Sequence, residues 1–569
     1  MLKCLLRYYS HRCSTLLSLE GLKELLKGID GKRFSAYKRL KGILIDYGVA
    51  KARFTKVQPD PHAPPSIIEV TIPKHTHGFP KELLTEPKSV PLTDYLTRAL
   101  YVVLRRLRRK CGTGYSCYLG VPKPGPWILK RSCVEVRGDD LVLRWFIGLP
   151  ARGRRVLGRE ARNLLLNDVP KVINFITSLK KEISKIERHV NNYLDQEFVR
   201  SWLRKNGYVA FIADGSVLPR ESSISERPML NAVPFKSPRS LRVTIRLPSG
   251  KSVSGMAIPE GFTVITGGGY HGKTTLLESI QEGIYNHIEG DGRELVVSRG
   301  YTILVKAEDG RLVHHVDIST FISKLPSGDD TRDFTTLDAS GSTSMAASIN
   351  EAIELGAEVL LIDEDTSATN LLFKDEVMYG IIREEPIRPL SRQVRDLIKK
   401  TGTSVIAVVS ASPSLLRYAD HVVLMENYIP QDITEKVKEV LKGLDQEEYS
   451  PPRVRVFKGI KGLKKVRAKG FKIVTEYTDG TTFELDLTNN PRIVEVGQVK
   501  FIAITIRELS RLVKKPLRTN ELMKYLNKVI KEKGFNIETP TPPDLTWVDA
   551  FDILWVLNRL YNAVFTFSS

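Results

Sequence analysis

The stretch VITGGGYHGKTTLLESI, Val264 to Ile280, decides the fold. A β-rich run, FTVIT (262–266), enters a glycine-rich turn, and Lys273, Thr274 and Thr275 open an apolar-periodic helix. From Gly267 to Thr274 the spacing is G-x-x-x-x-G-K-T. Such a loop aims backbone N–H groups at phosphate oxygens, at the positive end of the following helix. Gly267, Gly268, Gly269, Tyr270, His271, Gly272, Lys273, Thr274 and Thr275 are therefore expected to bind ATP. In that role Lys273 reaches the β- and γ-phosphates and Thr274 holds Mg2+.

A metal site of this kind needs a second acid. VLLIDEDTSATN (359–370) supplies it as four apolar residues of a buried strand followed by Asp363 and Glu364. Asp363 is expected at the Mg2+ and Glu364 at the water that attacks the γ-phosphate. An acidic strand end without a role is the bland alternative, and coincidence with the phosphate loop argues against it.

Between the two motifs lies TLDASGSTSMAASINEAIELGAEV (336–359), a Ser-Gly-Ser-Thr turn that opens an amphipathic helix. It resembles the Ser-Gly-Gly-Gln signature of ATP-binding-cassette ATPases. Ser340 stands 23 residues before Asp363, the count that those proteins keep. Ser367, Ala368, Thr369 and Asn370 stand where they have a D-loop. The resemblance implies a head-to-tail homodimer in which Ser340, Gly341, Ser342 and Thr343 meet the γ-phosphate held by a second copy. A Ser/Gly helix cap explains the turn but not the spacing.

Three features depart from the transporters. No glutamine lies between Gln281 and Gln393, so Glu308 or Asp309 in VKAEDGR (305–311) is expected in place of the Q-loop glutamine, reaching toward the metal. Lys273 and Asp363 are only 90 residues apart, which leaves little chain for a membrane-coupling subdomain. Ser410 takes the switch-histidine position in VIAVVSASPSLLRYADHVV (405–423). A serine can hydrogen-bond a γ-phosphate or the lytic water but carries no charge near neutral pH. Slow basal turnover is expected, with Lys273, Glu364 and Ser410 as the catalytic set.

The segments DPHAPPS (60–66), GLPARGRR (148–155), YNHIEGDGRE (285–294), AEDGR (307–311), ASGSTS (339–344) and IDEDTSATN (362–370) resemble a stand-alone family of ABC-class ATPases from archaea, bacteria and some eukaryotes. That family includes a kinetoplastid mitochondrial protein associated with RNA editing. The resemblance spans nearly the whole chain and implies a Mg2+-dependent ATPase. Val409 to Ser414 lacks the Gly-Gly-Ser-Gly expected there.

The 569 residues are too many for one core. The fold class expected is α/β, an ABC-type P-loop core with a basic α+β N-terminal domain and a small α+β C-terminal domain. The boundaries expected are 1–158, 159–435 (the core with a helical lead-in) and 436–569. No apolar run is long enough to span a membrane, so no membrane partner is expected. Five cysteines argue against a disulfide-built protein, and only seven glutamines give a thermophile-like bias. Both point to the cytoplasm. MLKCLLRYYSHRC at the start reads as a first helix or, in the minor alternative, a mitochondrial transit peptide.

The charge is uneven. Residues 1–220 carry 41 Lys/Arg against 19 Asp/Glu, and residues 221–430 carry 21 against 28. Lys32, Arg33, Lys38 and Arg39 are interleaved with Phe34 and Tyr37. Arg105, Arg108 and Arg109 share a face if the helix over 93–104 continues. Arg152, Arg154, Arg155 and Arg159 lie in a Gly-containing loop. Basic residues among aromatics suit phosphate contact and base stacking, so nucleic acid is the expected partner, RNA favoured over DNA. A solvated basic surface with no ligand is the plain alternative. The function read from these features is a homodimeric ATPase that gates a nucleic-acid surface. An ATP-dependent DNA clamp, or a protein remodeller or scaffold without nucleic acid, is the alternative.

Overall fold

The computed structural model describes residues 16–374, 381, 385–410, 412–441 and 446–567. The apolar start of the chain, read as a first helix or transit peptide, lies outside them. The chain divides into two compact units. One comprises 1–124, 129–190 and 538–546, the other 125–128, 191–537 and 547–569.

The first unit is built on a seven-stranded sheet. Ser66–Ile72 and Asp140–Ile147 pair at its centre, with Lys51–Lys56 and Leu44–Asp46 beyond one side. SIIEVTI is buried at six of its seven positions, as a central strand must be. Glu69 is the exception in character. It sits opposite Arg144 and Arg53 on the neighbouring strands and accepts from both guanidinium groups, at 2.7 and 2.9 Å. Burial disfavours its charge, but these two arginines outweigh burial and hold its pKa below the usual range. The helix Ser89–Leu107 packs within this unit. It ends at Leu107 because Arg108 turns to extended backbone. Over 158–178 the helical pattern runs on through Pro170. The chain widens to a π-turn at Asn163–Asp168 just ahead of the proline, which lacks the N–H that an α-turn would need there. Cys111 and Cys117 form a disulfide. The scarcity of cysteine gave no sign of it. The bridge closes a seven-residue loop whose second cysteine has a left-handed backbone, φ 60°.

The second unit holds a six-stranded sheet in the order Thr302–Val305, Val359–Asp363, Ser404–Val409, Phe262–Thr266, His421–Glu426, Ile429–Asp432. The first five are parallel and the last is antiparallel. VLLID and SVIAVV are buried at every position, as expected of strands covered on both faces. Parallel strands direct their carboxyl ends to one edge, and ligands of open α/β sheets bind there. A four-stranded antiparallel sheet of Arg242–Arg246, Ser252–Pro259, Tyr208–Ala213 and Val296–Ser298 packs into the same core through Ile212, Met256 and Val296. Two three-stranded sheets and the helices Val496–Leu512, Thr519–Lys533 and Ala550–Leu557 follow.

Candidate nucleotide-binding and hydrolysis site

The strand Phe262–Thr266 runs into the glycine turn, and the helix Lys273–Glu282 leaves it with Gly272 as N-cap, φ 89°. Gly267 has φ 138°, and a Cβ on it would stand 2.3 Å from the carbonyl oxygen of Met425, so only glycine fits. Tyr270 and His271 complete the turn with Gly268 and Gly269. Tyr270 is fully exposed with a left-handed backbone. Lys273 is buried, and its Nζ donates to the carbonyl oxygens of Gly267 and Gly268, 2.7 Å each. An ammonium folded onto its own loop is positioned for an anion that the loop encloses.

The Thr274 hydroxyl donates to Asp363 Oδ2 at 3.0 Å. Asp363 is buried at the carboxyl end of its strand. One residue on, the Glu364 carboxylate accepts the backbone N–H of Ser410 at 2.5 Å. The Ser410 contact found here is thus made by the main chain. The switch segment beyond it begins at Ala411, outside the described residues.

Ser340 caps the helix Gly341–Glu354. Its Oγ accepts from the Thr343 amide at 3.4 Å and pairs with the Thr343 hydroxyl at 3.0 Å. The positive end of this helix is therefore presented at the Ser340–Gly341 turn. Ser342 donates to Asn370 at 2.9 Å, which ties the turn to the segment after the acidic pair. Ser367 donates to the Asp363 carbonyl at 2.7 Å, and Ala368 and Thr369 start the next short helix.

Glu308 and Asp309 part ways. Glu308 accepts from Arg559 at 2.9 and 2.5 Å and lies 3.8 Å from Arg311. Burial opposes its charge, yet Arg559 and Arg311 pull its pKa down to about 2. A role at the metal would have to break that pairing. Asp309 is exposed beside the signature turn, where a Cβ on Gly341 would stand 3.1 Å from its Oδ1. Sequence reasoning missed Lys306. It follows the strand Thr302–Val305, whose Val305 pairs with Ile362, so it stands at the sheet edge beside Asp363. A cation directly after an apolar run at the Q-loop position was the available signal.

Sequence reasoning also missed a cavity of about 250 Å3 beside the phosphate loop. Leu218, Met229, Val233, Phe235, Thr275 and Tyr428 line it. Four of these come from the Ser-, Pro- and Arg-rich loop that follows the strand Tyr208–Ala213. Tyr428 and Asn427 form the hairpin turn between His421–Glu426 and Ile429–Asp432, both left-handed, φ 67° and 48°. Asn427 is a residue such turns favour at their first position, whereas Tyr428 stands at the second, where glycine is usual. Asn427 N–H donates to His271 Nδ1 at 2.9 Å, and a Cβ on Gly272 would come within 3.2 Å of the Tyr428 ring.

The basic candidates lie in the first unit. Lys32, Arg33, Lys38 and Arg39 are exposed, but Phe34 and Tyr37 are buried and Tyr37 donates to the Pro150 carbonyl at 2.7 Å. These aromatics belong to the core, which corrects the expectation that they stack on bases. Arg105, Arg108 and Arg109 do not form a helical stripe either. Arg105 is on the last turn. Arg108 lies over the Tyr118 ring at 4.4 Å and donates to the Leu119 carbonyl at 2.8 Å, and Arg109 pairs with Asp168 and Glu160. Arg152, Arg154, Arg155 and Arg159 are exposed. The hairpin Ala151–Arg152, Arg155–Val156 bridges back to residues 31–34 through the Arg33–Arg155 pair and the Phe34 N–H to Arg154 carbonyl bond of 2.8 Å. Two distant basic segments thus form one patch. Within it Arg154 is held by Asp60 at 2.9 Å and Arg155 donates to the Gly31 carbonyl at 3.0 Å.

Comparison with known proteins agrees with this geometry. Residues 182–459 match the model of a P-loop ABC ATPase domain, and residues 19–180 match that of the N-terminal region of ATPases of the ABC class. An uncharacterized protein of Methanocaldococcus jannaschii is 30% identical over 366 residues, 61% of this chain and 76% of the relative. A solved structure of cbiO1 from Clostridium perfringens, part of the ABC transporter complex cbiONQ, aligns with 41% of this chain and 91% of that one. Its identity is 15% and its TM-score 0.26, a likeness too slight to argue from.

Proposed function

We infer the function of this chain from one premise, that it belongs to the ABC-class ATPase family. The fold is one that binds and hydrolyses ATP, and no described helix is long and apolar enough to cross a membrane. The observation that carries the finer reading is the gathering at one sheet edge of Lys273 in its loop, the Thr274–Asp363 pair and Glu364. Lys273 and the loop amides bind the phosphates, and Glu364 orients and deprotonates the attacking water. The Ser410 amide fixes the Glu364 carboxylate. The base enters the cavity beside Thr275 and rests on Tyr428.

Thr274 and Asp363 fit Mg2+, because a hydroxyl and a carboxylate already within 3.0 Å of each other are the oxygen donors that this ion takes. When bound, Mg2+ neutralises charge developing on the β- and γ-phosphates. The Ser340–Gly341 helix end meets the γ-phosphate of a second copy, so the active form is a head-to-tail homodimer. The patch around Lys32, Arg33 and Arg152 binds nucleic acid through its phosphates. With Phe34 and Tyr37 in the core, that patch supports polyanion binding and gives no preference for RNA over DNA.

Sedimentation of the Glu364→Gln protein tests the assembly. With ATP and Mg2+ it is expected to shift from monomer to dimer, and Ser340→Arg should prevent the shift. A protein that stays monomeric with ATP bound would sink the dimer reading.

A further inference from the structure

Residues 453–475 contain nine Lys/Arg and no Asp/Glu, in a region that the nucleotide site does not use. Two strands run through it, Arg455–Ile460 and Leu463–Lys469, joined by Lys461 and Gly462. They do not pair with each other. The first is the middle strand of the sheet with Leu517–Arg518 and Ala563–Phe567, and the second is the edge of the sheet with Lys472–Tyr477 and Thr482–Asp486. Where they diverge they open a cavity of about 340 Å3. Ile506, Leu509 and Val513 lie along its helical side, and Ile460 and Leu463 face them from the strands. Lys458, Lys464 and Lys465 border it and are exposed. Among the described residues Lys458 and Lys464 have no acidic partner, Lys465 lies 3.8 Å from Glu476, and Arg467 and Lys472 are paired more closely with Glu476 and Glu484.

Lysines on an edge strand also discourage strand-to-strand aggregation. That accounts for Lys464 and Lys465. It does not account for Lys458, which is on a central strand, nor for a cavity that sets apolar side chains beside cations. We propose that this groove binds single-stranded nucleic acid, with one base against the apolar side chains of the cleft and the flanking phosphates on Lys458, Lys464 and Lys465. A base offers an apolar face and its backbone an anionic edge, which is the pattern of the groove. A duplex keeps its bases stacked and would leave the cleft unused. The inference rests on the nucleic-acid reading above for its ligand class, but it concerns a different surface.

The test is binding of the full chain to labelled oligo(U), oligo(dT) and a duplex of equal length across a salt series. Wild type should bind either single strand about tenfold tighter than the duplex. Lys458→Glu, Lys464→Glu and Lys465→Glu together should weaken single-strand binding at least about tenfold and reduce the log–log salt slope by about two. The corresponding arginine variant should keep both, and circular dichroism should show each variant folded. Photoreactive uridine should crosslink within 457–466. If Arg33→Glu with Arg152→Glu abolishes binding and the triple variant does not, the groove is overturned and the N-terminal patch stands. The reverse result keeps the groove and removes the patch. No binding by wild type overturns both, and capture of polyglutamate in preference to oligo(U) overturns the groove in favour of an acidic peptide.

Discussion

Arginine serves opposite ends in two regions of this molecule. Around the signature helix Arg311, Arg455 and Arg559 are buried and face Glu308, Glu351 and Glu354, with Arg311 Nη2 to Glu351 at 2.7 Å and Arg455 Nε to Glu354 at 2.8 Å. In the hairpin of the N-terminal unit Arg152, Arg154 and Arg155 stand in solvent, two of them lightly tethered. The difference teaches that a count of positive residues is not a measure of available charge. The first set holds the loop 306–311, the signature helix and the C-terminal segment together. Only the second can meet a polyanion.

The comparison breaks most visibly if a buried arginine is removed. Arg559→Ala takes both short guanidinium hydrogen bonds from the half-buried Glu308 and leaves it only Ser348 and the more distant Arg311, so unfolding free energy should fall by about 1–3 kcal/mol in urea titration. A loss no greater than that of an exposed arginine would erase the distinction. The same carboxylate makes a pH prediction. Its folded pKa, about 2, lies below its unfolded value, so its contribution is present above the ordinary glutamate range and is lost as pH falls toward 2. Wild type should therefore lose more stability between neutral pH and acid than Glu308→Gln does.

Smaller effects sharpen the contrast. Tyr428→Ala should weaken ATP binding about three- to tenfold by calorimetry, the range of one lost aromatic contact. Unchanged affinity would remove Tyr428 from the base pocket. Smallest in stability are Arg33→Glu and Arg152→Glu, each expected within about 0.5 kcal/mol of wild type. Together they should still lower the salt slope of nucleic-acid binding by about 1.5.

The parts of the candidate nucleotide site could be read in the sequence because they are local. Glycine spacing dictates the loop, and four apolar residues followed by Asp363 mark a buried strand with an acid at its end. Tertiary partners decided what was not legible. Glu308 looked like a metal-site acid until Arg559, 251 residues away, was seen to bind it. Phe34 and Tyr37 looked like stacking aromatics, yet every third residue of that turn, Phe34, Tyr37 and Leu40, faces inward. A continuation of the helix over 93–104 through Arg109 would have aligned the arginines, but Arg108 leaves it to cover Tyr118. Tyr428 carried no signal, since its place beside Gly272 depends on a hairpin turn about 150 residues downstream.

The measurement that tests the central claim most directly is single-turnover ATP hydrolysis with Mg2+, wild type against Glu364→Gln, with ATP binding measured on the same preparations. The account predicts retained ATP binding and a rate lowered about 10²- to 10⁴-fold, the contribution of a positioned general base. Hydrolysis at the wild-type rate in the variant would contradict it.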